Sequence, residues 1–256
     1  MRKLLPHSRI VLFLSLFLSR FFAFGQAQND VHIIYIGDSI TQGVQMDDPA
    51  NNAPPAAATA YFQSLYKKGH VDFSNQGHSG FTTLDFLPGT ETFTQVEKSA
   101  SELSTRPGLL IFSIMLGTND SAVKGTHGAP VSPDSYFANM TIIVSRLLKD
   151  FPGCRIIIQH PIWYSPNTYN GAQYLQEGLN RLQSYFPVIE KLSKNYNGRL
   201  MIGDTEAFNY FKETHLTTLI PEEGHQGTFY LHPNQAGAKI LGEFWAKAIY
   251  KSIKGK

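Results

Sequence analysis

Five short apolar runs, Val31–Ile36, Val71–Ser74, Leu109–Leu116, Arg155–Gln159 and Leu200–Ile202, are separated by stretches with helical spacing. This alternation constrains the fold more than any other feature of the chain. Several runs are β-branched and nearly continuous, the pattern of strands buried on both faces. Strand, helix, strand, helix implies a parallel sheet covered by helices above and below. One helix is marked by Phe137, Met140, Val144, Leu147, Leu148 and Phe151. Ser132-Pro133 supplies its cap and first-turn residue, and Pro152-Gly153 ends it. Leu175, Leu179, Leu182 and Phe186 mark another, with Pro187 as a kink or break. The last runs from Asn234, its expected N-cap, through Ile240, Leu241, Phe244, Trp245, Ala248 and Ile249. Residues 44–59 (VQMDDPANNAPPAAAT) read as a loop rich in Pro, Ala and Asn. No internal repeat is visible.

Residues 1–27 have the layout of a secretory signal peptide: a basic start, an apolar core from Ile10 to Leu18, then Ala23, Gly25 and Ala27. The core is short for a membrane span and Arg20 interrupts the apolar residues beyond it, so no stable membrane insertion is expected after cleavage. The expectation is therefore a leader at 1–27 and one domain over 28–256. Cleavage after Gly25 removes Arg2, Lys3, Arg9 and Arg20 and takes the formal charge from +2 to about −2. Nucleic acid is then a poor partner, because phosphate binding needs a basic face. Cys154 is the only cysteine, so no intrachain disulfide forms and no cysteine near the cleavage region can carry a lipid.

In such folds function gathers where strands end and helices begin. Ser39 lies there, in GDSIT (residues 37–41), just past the first run. Helix N-terminal amides are unpaired and partly positive, so a serine at that turn has oxyanion donors beside it. Ser39 could also be a simple helix cap; a phosphate loop is excluded because no Lys-Ser/Thr follows Gly43. Three further stretches fall at strand ends or helix starts: NQGHSGFTT (75–83), GTND (117–120) and LHPN (231–234). Together they hold what acyl transfer needs: a nucleophile, a base and donors for a tetrahedral oxyanion.

The set resembles the GDSL or SGNH hydrolase superfamily. The resemblance implies a three-layer α/β/α flavodoxin-like fold with a central parallel sheet and an esterase activity. It implies Ser39 as nucleophile, His232 as base, and an oxyanion hole from the Ser39 and Gly80 amides and the Asn119 side chain. No cofactor is called for, and without H-E-x-x-H or a second cysteine no metal site is expected. Asp120 reads as a loop-bracing carboxylate. His78 could line the site or simply pack, and His225 reads as a loop histidine.

One element of the family pattern is missing. The superfamily usually carries an acid three residues before its histidine, and Phe229 stands there. Three readings compete: a carboxylate from elsewhere (Glu222, Glu223 or Asp204), a backbone carbonyl that leaves a Ser–His dyad, or an inactive glycan-binding module. Trp163, Tyr164 and Tyr169 either stack on substrate or pack in the core. The resemblance to exported family members points to O-acetyl groups on carbohydrates such as sialic acids or plant glycans. Lipid or general short-chain esterase or thioesterase activity is the alternative. Asn119 and Asn139 sit in N-x-S/T sequons. A glycan on Asn119 would block the expected oxyanion hole, which favours a bacterial secreted or periplasmic protein.

Overall fold

The computed structural model describes residues 29–196 and 198–254. The expected leader therefore lies outside the described residues. Five parallel strands form the central sheet: β1 (Val31–Gly37), β2 (Val71–Gly77), β3 (Leu109–Met115), β4 (Arg155–Ile158) and β5 (Leu200–Ile202). Their order is β2-β1-β3-β4-β5. This is the flavodoxin-like order, whose switch point falls between β1 and β3. There the chain runs first to one side, to β2, and then back across β1 to β3. All seven β1 residues are buried, which is why its sequence shows no polar alternation.

The two faces are separately covered. Tyr35 stacks on Trp245 with ring centroids 5.9 Å apart. Phe112, paired with Ile34 and so on the opposite face, meets Phe151 at 5.6 Å. The helices are α1 (Ser39–Gln42), α2 (Pro49–Asn52), α3 (Pro54–Leu65), α4 (Glu91–Leu103), α5 (Pro133–Asp150), α6 (Leu175–Ser184), α7 (Phe186–Ser193), α8 (Ala207–Thr218) and α9 (Gln235–Lys254). Helices α3 and α9 pack together, as do α5 and α7. The expected caps form: Ser132 Oγ accepts from the Ser135 amide at 3.1 Å, and Asn234 Oδ1 from the Gly237 amide at 2.9 Å. The break at Pro187 separates α6 from α7, with the proline in the first turn of α7.

Two expectations need correction. Residues 44–59 are not merely a loop, because α2 and the start of α3 lie within them. Both helices place proline in the first turn, where its missing N–H costs nothing, and alanine then favours the helix. The structure also adds an antiparallel hairpin, β6 (Leu219–Gly224) with β7 (Gly227–Pro233), beyond the five expected strands. Pro221, two glutamates and a histidine dilute its β signal, and only the Phe229/Leu231 alternation survives.

The core is expected to depend on the Tyr35–Trp245 stack. Trp245→Ala should destabilise the fold by about 3–5 kcal/mol, read as a lower urea midpoint with unchanged slope.

Candidate active site

Parallel register brings three motif loops to one edge. Gly37 pairs with Gly77 on one side and Met115 on the other, so β1, β2 and β3 end in one row. From that row leave Asp38-Ser39, His78-Ser79-Gly80 and Gly117-Thr118-Asn119. The row can close because Gly77 lacks a side chain: a Cβ there would sit on the Gln42 amide of α1. Helix α1 starts at once. Asp38 caps it, accepting from the Ile40 amide at 3.0 Å, and Ser39 occupies the first helical position.

His232 arrives from the hairpin. Its Nε2 accepts from the Ser39 hydroxyl at 3.0 Å. Its Nδ1–H donates to Glu222 Oε1 at 2.8 Å. The missing acid is thus supplied by the neighbouring strand. Glu222 pairs directly with Phe229 across the hairpin, so the carboxylate comes from the cross-strand partner of the usual position. Directly opposed residues stand about 5 Å apart, a gap a glutamate can span. Burial alone would raise the Glu222 carboxyl, but the hydrogen bond and charge of His232, with a bond from Gln45, hold it below its ordinary value.

The competing carboxylates are engaged elsewhere. Glu223 is exposed and accepts from the Thr228 hydroxyl. Asp204 accepts from the Glu206 and Ala207 amides at the start of α8.

Gly80 and Asn119 line a pocket of about 350 Å³ together with Ser39, His232, Phe81, Tyr174 and Leu231. Gly80 has φ of 80°, a left-handed conformation, and a Cβ there would meet no protein atom. Backbone conformation therefore explains this glycine within the fold. Asn119 is clamped from two sides. Its Nδ2 donates to the Phe81 carbonyl at 2.9 Å, and its Oδ1 accepts from the Tyr174 hydroxyl at 2.6 Å. The clamp leaves the second amide proton for the pocket. Sequence reasoning missed Tyr174, whose signal is invisible without the fold.

Asp120 braces the loop as expected. It is fully buried and accepts from the Thr83 amide at 3.0 Å and from the Thr83 hydroxyl. That bond ties the Asn119 loop to the Gly80 loop. Burial pushes Asp120 up to about 7, against the opposing bonds from Thr83, and pushes Asp38 up to about 6.

Trp163 and Tyr164 are packing residues. Trp163 is buried beside His215, and the Tyr164 hydroxyl meets Ser121 Oγ at 2.9 Å. Tyr169 lies against His225 at the hairpin turn and not in the pocket. His78 stacks on Phe81. Asn119 and Asn139 are both buried, which removes them as glycosylation acceptors in the folded chain. A larger groove of about 670 Å³ between α3 and α9 contains neither Ser39 nor His232. Among the described residues no cluster of three or more His, Cys, Asp or Glu forms a metal site. No helix there is long and apolar enough to cross a membrane.

Serine, imidazole and carboxylate in hydrogen-bonded series, with two donors beside the serine, are the parts of a nucleophilic acyl-transfer site. Family comparison agrees, since the model of the GDSL-like Lipase/Acylhydrolase family matches residues 35–240, a span that includes all of these parts. The chain belongs to that family.

Solved structures share its fold. An acetylxylan esterase from Geobacillus stearothermophilus is 20% identical, with 90% of this chain and 97% of that one covered and a TM-score of 0.57. A carbohydrate acetylesterase from Sinorhizobium meliloti is 17% identical, covering 86% and 98% with a TM-score of 0.56. An α/β hydrolase enzyme from the metagenome of Lake Arreo, Spain, is 19% identical, covering 89% and 96% with a TM-score of 0.58. Comparison with curated proteins gives no match.

The buried Asp120 carries a pH prediction. Its value in the fold, about 7, lies above the ordinary carboxyl value of 3.8. The folded state holds that proton longer than the unfolded state does. Its contribution is therefore full below about pH 4 and is lost as pH rises through about 7. Asp120→Asn should narrow the fall in urea midpoint between about pH 5 and pH 8.

Proposed function

We propose that this protein is a serine esterase that removes short acyl groups, acetyl above all, from carbohydrate esters. The observation that carries this reading is the unbroken Ser39–His232–Glu222 series opening onto the pocket with Gly80 and Asn119. Ser39 attacks the ester carbonyl while His232 Nε2 takes its proton, and Glu222 holds the ring and stabilises its charge. The tetrahedral oxyanion is bound by the Ser39 and Gly80 amides and the Asn119 side-chain amide. Collapse expels the sugar alcohol, which takes the proton from His232, and leaves an acyl-enzyme. Water, activated by the same imidazole, then releases the acid and frees Ser39.

Several features support the substrate class. The pocket is at the small end of the range for ligand sites, which suits a short acyl group with part of a sugar ring. Its rim is polar, with Asp85, Thr126, His127 and Asn170. Two of the solved structures that share the fold are an acetylxylan esterase and a carbohydrate acetylesterase. We further propose that residues 1–27 export the chain to a bacterial periplasm or the medium, and N-terminal sequencing of the secreted protein tests this.

Purified enzyme should release p-nitrophenol from the acetate ester faster than from long-chain esters, and acetate from acetylated xylo-oligosaccharides or sialosides. Ser39→Ala and His232→Ala should abolish nearly all turnover. Glu222→Gln should lower kcat by about 10³- to 10⁴-fold, and Asn119→Ala by about 100- to 1000-fold. Saturable glycan binding without turnover, unaffected by Ser39→Ala, would overturn the reading in favour of a binding module.

A further inference from the structure

A turn whose geometry favours glycine carries Gln45 instead. The Gly43–Met46 segment closes with the Met46 amide donating to the Gly43 carbonyl at 3.1 Å. Gln45, the third of the four residues, has φ of 70°. A positive φ at that position of a turn selects Gly, which has no Cβ to crowd the backbone, or Asn, whose side chain bonds the local backbone. Burial does not compensate for it, since Gln45 is exposed. Among the described residues the other non-glycine at positive φ is Leu175, directly after the Tyr174 that clamps Asn119. Strained backbone of this kind persists where the surrounding structure uses it.

The Gln45 side chain has a definite destination. Its Nε2 donates to Glu222 Oε2 at 2.7 Å and lies 3.5 Å from His232 Nδ1. The Glu222 carboxylate is then held at both oxygens: Oε1 by the imidazole and Oε2 by the amide. A glutamate has one more rotatable bond than an aspartate. Reaching from the opposite strand, it has more rotamers to lose and gains more from a second anchor. The turn bearing Gln45 also follows directly from α1, which carries Ser39. One short segment therefore presents the nucleophile and grips the acid.

We propose that Gln45 is a positioning residue for the Glu222–His232 pair, kept in a left-handed turn against local preference because its amide fixes the carboxylate that orients the base. This rests on the serine-esterase reading and names a part of its machinery that the family motifs do not contain. Gln45 does not line the pocket, so its removal should act on kcat and leave KM unchanged.

Gln45→Gly and Gln45→Asn test the proposal, since both residues suit the turn and neither the shorter amide nor glycine can reach Glu222. Thermal melting should stay level or rise, while kcat on p-nitrophenyl acetate falls about tenfold, as for loss of a hydrogen bond to a charged group. On a Glu222→Gln background Gln45→Gly should cause no comparable further loss, because the partner charge is already gone. A second readout needs no substrate: the downfield Nδ1 proton resonance of the His232–Glu222 hydrogen bond, sharp in the wild type, should broaden in both variants and vanish in Glu222→Gln. Gln45→Gly with full kcat and a sharp resonance would overturn the proposal. So would a parallel loss of stability and activity, or an equal loss on the Glu222→Gln background. If the wild type shows no Ser39-dependent esterase activity, the functional reading fails and the resonance still decides whether Gln45 positions the pair.

Discussion

Backbone hydrogen bonding between β1 and its two neighbours sets the row from which the site is built. Because Gly77, Gly37 and Met115 end level, Ser39, Gly80 and Asn119 leave the sheet toward one shared pocket. A one-residue slip would move a loop by about 3.3 Å and turn every side chain of that strand to the other face. Hydrogen bonds of about 3 Å do not survive such a shift. The register is protected by packing on both faces, through Tyr35 on Trp245 and Phe112 on Phe151. Core packing and catalytic geometry are therefore linked through one alignment.

Much of this is legible in the sequence because it is local. Parallel strands buried on both faces leave continuous apolar runs, and all five are readable to within a few residues. Ser132 and Asn234 announce their helices by chemistry, and the motif around Ser39 marks a strand-to-helix turn. What stays hidden depends on pairing. Glu222 and Glu223 are adjacent in the chain, and only the hairpin decides which of them faces His232. Tyr174 cannot be connected to Asn119 from sequence, because the two meet only when α6 docks beside the β3 loop. The aromatic cluster at 163–169 stays open between substrate and core for the same reason: strand-end position does not say which way a ring points, and the fold turns Trp163 and Tyr164 inward.

The acid that the family places three residues before its histidine shows what a fold can conserve while sequence spacing changes. Antiparallel pairing makes Glu222 and Phe229 neighbours, so a carboxylate can serve the same imidazole from either strand. Phe229 is then free to be a buried apolar residue. The longer route brings a longer side chain, and the Gln45 amide at its second oxygen is the matching restraint. Beneath the pocket, buried Asp120 joins the loops carrying Gly80 and Asn119, at the cost of a carboxyl that resists ionisation.

The central claim is that distant parts of the chain fold into one site that makes Ser39 a nucleophile. Labelling with a fluorophosphonate, followed by intact-mass and peptide analysis, tests this without presuming any sugar. The account predicts one adduct per chain, on the peptide containing Ser39, and its loss in His232→Ala. A folded wild-type protein that takes no label, or takes it equally at other serines, would contradict it.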